Sequence, residues 1–208
     1  NNSMFKHINQ FFIKTILILY SVLFFSFASF NDTPVDRLGV KGPLEFNHTN
    51  FNLAWSSHPI DIQYIQEYLP DGENVESFNQ MLSIFLVKTN KNVKDAVELK
   101  VNELIERKKT DKICNYKVST SPDEKEFIID FLVGDNKDNK LILVEFNVYK
   151  YKQINVSINE KALIIYTYSK RGYGNDITSF LNALENDRVN YINQMINTDI
   201  PKITIENK

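Results

Sequence analysis

The sequence predicts a single α+β domain: a mainly antiparallel sheet, running as a meander, covered by two long helices and one short helix. Three observations lead there. From about residue 113 to 169, runs of alternating apolar and polar residues follow one another between polar turns. Two other segments, from Asn92 and from Asp176, repeat apolar residues at intervals of three and four. The 208 residues are 43% hydrophobic and 24% charged, which excludes a disordered tail, a fibre or a disulfide-dense miniprotein.

Lys6, His7 and Lys14 precede an apolar run from Ile16 to Phe25, interrupted by Tyr20 and Ser21. This reads as a secretory signal peptide, because an apolar core of about 10 to 14 residues is too short to span a bilayer. Ser26-Phe27-Ala28 then places small residues where a signal peptidase inspects, so cleavage is expected between Ala28 and Ser29. The alternative is a retained N-terminal anchor in the inner membrane. The expected organisation is a signal peptide over 1–28, an arm or linker over 29–50 carrying Pro34, Gly42 and Pro43, and one domain over 51–208.

Leu53 and Trp55 alternate with polar neighbours, and Ile60 to Leu69 places Ile62, Tyr64 and Tyr68 on one face; two strands joined at His58-Pro59 are expected. Pro70-Asp71-Gly72 is a turn, and Asn74 suits the cap of a short helix carrying Val75 and Phe78. Met81 to Val87 is apolar apart from Ser83, as expected of a central strand covered on both faces.

Asn92 caps the first long helix, with Val93, Val97, Val101, Leu104 and Ile105 on its stripe and Arg107, Lys108 and Lys109 at its C-terminal dipole. Strands follow at about 113–119, 126–133, 140–149, 150–157 and 161–169. The last helix starts at Asp176 and carries Ile177, Phe180, Leu181, Leu184, Ile192, Met195 and Ile196, with Pro201 at or beyond its end.

Lys and Arg number 24 against 26 Asp and Glu, which argues against a broad basic surface for nucleic acid. Membrane contact is expected only through the signal segment, if it is retained. Lys outnumbers Arg 20 to 4, a bias toward AT-rich codons that suits a bacterial genome and hence a periplasmic or secreted mature protein. There the lone Cys114 is expected to pack in the core beside Tyr116 and Val118.

No catalytic residue, cofactor site or metal site emerges. Asp135 to Asn139 clusters oxygen ligands without the spacing of a calcium loop, and reads as a hairpin turn. Ser56, Ser57, His58 and Asp61 sit too close in sequence to converge as a triad. The most informative surface segment is Lys170 to Asp176, read as a connector into the last helix, with Lys170, Arg171 and Tyr173 as contacts for a partner or ligand.

Gln66 to Leu82, with its Tyr68-Leu69-Pro70-Asp71-Gly72-Glu73 turn leading to Phe78 and a buried strand, resembles a stretch of small exported bacterial proteins of unknown function. In element order the chain is similar to the PsbP/Mog1-like α/β/α sandwich. The resemblance implies a non-enzymatic scaffold that docks onto another protein or an envelope component, and it carries over no catalytic residues. The expected function is an exported, non-catalytic protein that binds a protein partner or small ligand. The alternatives are an envelope immunity or inhibitor protein and a carboxylate-dependent hydrolase using Glu67 or Glu73.

Overall fold

Eight strands pair into one antiparallel sheet in the computed structural model, which describes residues 33–205. The expected signal peptide and the Ala28–Ser29 cleavage point lie outside the described residues. The strands are β1 (Leu44–Phe46), β2 (Thr49–Ile60), β3 (Gln63–Leu69), β4 (Gln80–Lys88), β5 (Asn115–Thr120), β6 (Glu126–Lys137), β7 (Lys140–Ser157) and β8 (Glu160–Tyr173). The helices are α1 (Val93–Arg107), between β4 and β5, and α2 (Ile177–Asn197), which follows β8 through a short 3-10 turn, Gly174–Asp176.

The strand order is β1-β2-β3-β4-β8-β7-β6-β5. Two four-stranded meanders, each followed by a helix, therefore meet through their last strands.

This corrects the expected α+β class. Strands hold more than twice as many residues as the two helices, and the sheet curls into a half-barrel that dominates the structure. The short helix after Asn74 does not form. Asn74 does offer its cap, its Oδ1 accepting the N–H groups of Glu76 and Ser77 at 3.1 and 3.0 Å. But Phe78 is buried with Leu69 and Met81, and β4 begins at Gln80. Glu73 enforces that return to strand, its Oε2 accepting the N–H groups of Asn79 and Gln80 at 2.7 and 3.1 Å. The cap side chain thus closes a turn that has no room to propagate.

Other expectations shift rather than fail. Residues 140–157 form one long strand, and β8 runs to Tyr173 instead of ending near 169. His58-Pro59 lies within β2, and the turn falls at Asp61-Ile62, so Ile62 is exposed while Tyr64 and Tyr68 enter the core. β4 is central as expected, and Asn92 caps α1, its Oδ1 accepting from the Asp95 N–H at 2.8 Å.

Both faces of the sheet are buried, one under each helix. Ile177, Leu184, Tyr191 and Met195 of α2 pack on Leu82, Ile84, Val144, Phe146, Val148, Ile164, Tyr166 and Tyr168. On the α2 stripe Tyr191 is buried, whereas Ile196 stays 46% exposed. Val93, Val97 and Leu104 of α1 pack on the opposite face against Phe127, Ile129, Phe131, Tyr151, Leu163 and Ile165. Period-two alternation on each strand separates these two sets.

The arm before β1 joins the α2-side core. Gln66 Oε1 accepts the N–H groups of Arg37 and Leu38 at 2.6 and 3.0 Å, Asp36 Oδ1 accepts that of Val40 at 2.9 Å, and Leu38 is fully buried. The C-terminal tail pairs with the arm through the Thr204 N–H and the Leu38 carbonyl at 2.8 Å.

α2 is fixed by charge as well as by packing. The buried Lys150 ammonium donates to the carbonyls of Ile196 and Thr198 at 3.1 and 2.9 Å, neutralising the negative end of the helix, and pairs with Glu126 at 3.1 Å. Arg188 reaches across to buried Asp130, with Nε 2.7 Å from Oδ1.

Gly172 sets how closely α2 approaches β8, because a Cβ there would stand 2.6 Å from Phe180 Cβ. Gly172→Ala is expected to destabilise the protein by about 2 kcal/mol through overpacking, measured by urea unfolding.

Burial works against the Glu126 charge, but Lys152 and Lys150 outweigh it and hold the carboxyl below its ordinary range. The stabilisation is therefore complete above the ordinary carboxylate pKa and is lost as pH falls through the lowered one. Unfolding free energies measured from pH 7 down to about 3 should fall more steeply in the native protein than in Glu126→Gln, the difference closing only in the most acid part of that range.

Candidate functional site

The face beneath α1 is apolar at one end and polar at the other. On β8 its inward positions run Leu163, Ile165, Thr167, Ser169, Arg171, and on β7 they run Tyr151, Tyr149, Asn147, Glu145. Register aligns these into cross-strand rows: Ser83 with Thr167 and Tyr149, Ser169 with Asn147, and Arg171 with Glu145. Ser83, Asn147, Thr167 and Ser169 are all buried, so each hydroxyl and amide must find a partner within the protein.

One chain of contacts links the polar end. The Ser169 hydroxyl donates to Asn147 Oδ1 at 2.6 Å, Asn147 Nδ2 donates to Glu145 Oε1 at 2.9 Å, and Arg171 Nε donates to Glu145 Oε2 at 2.5 Å. The Arg171 guanidinium also lies 3.9 Å from the centre of the Phe78 ring. Burial opposes its charge, but Glu145 and Tyr173 outweigh that and hold it more firmly protonated than a free arginine.

α1 closes the seam with two charged side chains one turn apart. Lys100 Nζ donates to Glu103 Oε1 at 2.8 Å and stands 4.8 and 5.6 Å from the ring centres of Phe131 and Tyr149. The second Glu103 oxygen is buried without a hydrogen-bond partner, and so is the hydroxyl of fully buried Tyr151. Burial, and after it the Glu103 charge, push the Tyr151 phenol up; burial and then Glu145 do the same to Tyr149. The seam therefore holds one anionic acceptor and one neutral hydroxyl that the described protein atoms leave unsatisfied, with an ammonium and two aromatic rings beside them.

The three contact residues expected from the sequence separate across the sheet. Arg171 and Tyr173 are strand residues at the polar end of the seam, the Tyr173 hydroxyl donating to the Phe78 carbonyl at 2.7 Å. Lys170 points to the opposite face, its Nζ 5.9 Å from the Tyr191 ring centre of α2. The segment 170–173 is thus paired strand rather than connector, and only Gly174 to Asp176 forms the link.

Elsewhere, side chains of catalytic type are committed to the fold. The Ser56 hydroxyl donates to the Val35 carbonyl at 2.6 Å, and His58 stacks on Tyr64 with its Nδ1 2.8 Å from the Gln63 carbonyl. Asp138 and Asn139, both at positive φ, form the β6–β7 turn, while Asp135 pairs with Arg107 at 2.8 Å. Cys114 is buried just before β5, and burial together with the Asp111 charge pushes its thiol up.

Sequence reasoning missed Lys100, Glu103, Glu145, Asn147, Ser169 and Tyr151 as a group. The signal was present as alternation: polar residues at 167 and 169, and at 145 and 147, interleave with Tyr166, Tyr168, Val144, Phe146 and Val148 of the other face. Glu103 and Lys100, three apart on α1, are brought over these rows only by the tertiary fold.

Tyr151→Phe removes an unsatisfied hydroxyl while keeping the ring. It is expected to leave the unliganded protein as stable as before or more stable by about 1 kcal/mol, measured by denaturant unfolding.

No described helix is long and apolar enough to cross a membrane. No curated protein and no solved structure matches the chain. Residues 38–200, which take in the whole sheet and both helices, match the sequence model of a protein family that carries no statement of activity, and the chain belongs to that family.

Proposed function

We propose that this is an exported, non-catalytic binding protein whose seam beneath α1 takes a small hydroxylated ligand such as a sugar or polyol. The observation that carries the reading is the pair of buried unsatisfied groups, Glu103 Oε2 and the Tyr151 hydroxyl, set beside Lys100 and the rings of Phe131 and Tyr149. A ligand hydroxyl is both donor and acceptor, so it can give its proton to Glu103 and receive one from Tyr151 or Lys100. The aromatic rings suit the apolar C–H faces of such a molecule.

The apolar leader of Ile16 to Phe25 supports export. A binding role is favoured over hydrolysis by the company the seam hydroxyls keep. Ser169 is bonded to an amide, Asn147, which cannot take its proton, and Glu145 is engaged by Arg171 and Asn147 together. Arg171 and Tyr173 bound the polar end and hold Glu145 and Phe78 in place.

Thermal unfolding of the full chain in glucose, N-acetylglucosamine and glycerol tests this. A binding probe stabilises the protein by about 2.7 kcal/mol at one hundred times its Kd, with half that effect or less in Glu103→Ala and Tyr151→Phe. Unchanged melting with all three probes overturns the reading, as does a shift that both variants retain in full.

A further inference from the structure

The two edges of the sheet are built differently. One is β1, which spans only Leu44–Phe46 and directly follows Pro43. The other is β5, Asn115–Thr120, which carries no proline and pairs with β6 without a shift of register. Among the described residues no strand pairs with its outer side. A regular edge without such protection is a template for another strand.

The ladder fixes which backbone groups this edge offers. The Ser121 N–H donates to the Glu126 carbonyl at 2.9 Å, and hydrogen-bonded pairs alternate along an antiparallel ladder. Ser119, Lys117 and Asn115 therefore direct their N–H and C=O groups to β6, whereas Thr120, Val118 and Tyr116 direct theirs outward. The side chains of these last three share the α1 face with Phe127, Ile129 and Phe131, their partners on β6. Cover there is incomplete: Tyr116 and Val101 of α1 are only partly buried, Val118 is 36% exposed, and Ile105, one turn on from Val101, is 42% exposed.

The edge is complementary to itself. Antiparallel pairing of two copies about Val118 sets Val118 against Val118, Tyr116 against Thr120 and Lys117 against Ser119 of the second copy. Each outward N–H then meets a carbonyl, aromatic and β-branched side chains face one another, and the one charge on the strand avoids its own counterpart. The same symmetry carries Glu124 of the β5–β6 turn toward Lys112 of the other copy, each lying six residues from Val118. The charges around them are already engaged within one chain: Arg107 with Asp111 at 3.0 Å, Lys109 with Glu106 at 2.7 Å and Lys125 with Asp123 at 3.3 Å. Among the described residues this leaves Lys108 and Lys112 as surplus cations on one side and Glu124 as the surplus carboxylate on the other.

We propose that the occupant of this edge is a second copy of the chain, the two β5 strands pairing about a two-fold axis at Val118 so that the two sheets continue into one. The pairing uses the same surface on both copies, and the short β1 offers no equivalent edge, so association closes at two.

Sedimentation equilibrium of the full chain and its variants tests this. Val118→Pro removes an N–H that faces away from β6, so the monomer keeps its ladder, and Val118→Lys keeps every N–H but sets two ammonium groups against each other on the axis. Each is expected to weaken dimerisation at least about tenfold. Glu124→Lys should weaken it severalfold, and adding Lys112→Glu to that variant should restore it. A parent chain that stays monomeric overturns the proposal, and so does a dimer that Val118→Lys leaves intact, since it then forms through another surface such as the apolar leader. A double variant no tighter than Glu124→Lys alone overturns the antiparallel register.

Discussion

The pairing of β4 with β8 is the contact on which the rest of the structure depends. Nine residue pairs, from Gln80 with Lys170 to Lys88 with Ala162, join two meanders that are otherwise local in sequence. Neither meander is self-sufficient. α1 follows the first, yet its apolar stripe packs on Phe127, Ile129, Phe131 and Tyr151 of the second. The first meander gains much of its cover from the arm, through Leu38 and Val40, and from the tail, through Ile203 and Ile205. Each half thus needs the central pair before its own faces can be buried, so loss of the central pair exposes both cores at once.

That dependence explains the use of polar groups as clamps at the periphery. Gln66 binds the arm backbone, Lys150 binds the last carbonyls of α2, and Asp111 accepts the N–H groups of Ile113 and Gly134 at 2.9 and 2.8 Å where the chain turns from α1 into β5. Each clamp satisfies backbone groups that no strand or helix partner reaches, in places where an unpaired group would cost about 1 to 3 kcal/mol. Their contribution is to fix where the covering segments lie; apolar burial supplies most of the favourable energy.

Much of this was legible in the sequence. Alternation located the strands of the second meander, and three-and-four spacing located both helices with the Asn92 cap. What failed was the inference from a local signal to a local element. Asn74 has cap chemistry but no room for a helix, because Phe78 and Glu73 force the chain back into strand. The fold class failed for a related reason: strand length is set by pairing, and residues 134–137 and 170–173 are strand because β7 extends to meet them. The seam was the least legible part. Half of it lies in strand alternation, but Lys100 and Glu103 read as ordinary charges on a helix until the crossover from β4 to β5 lays α1 over the sheet.

A sheet buried on both faces has little use for charge in its interior. Replacing a buried ion pair by well-packed apolar residues is commonly neutral or stabilising, so stability alone gives no reason for Arg171 and Glu145 or for the hydroxyl rows beside them. On the α2 face the same strands carry Val144, Phe146, Val148, Ile164, Tyr166 and Tyr168, which shows that these strands accommodate a largely apolar layer. The contrast is between two faces of the same strands, with the same backbone and the same register. On the α2 face the buried charges Lys150 and Asp130 each hold α2, whereas on the α1 face Glu145, Asn147 and Ser169 pair with one another and with Arg171 on the sheet itself. The unsatisfied Tyr151 hydroxyl lies within that face, and the unsatisfied Glu103 oxygen belongs to the helix that covers it.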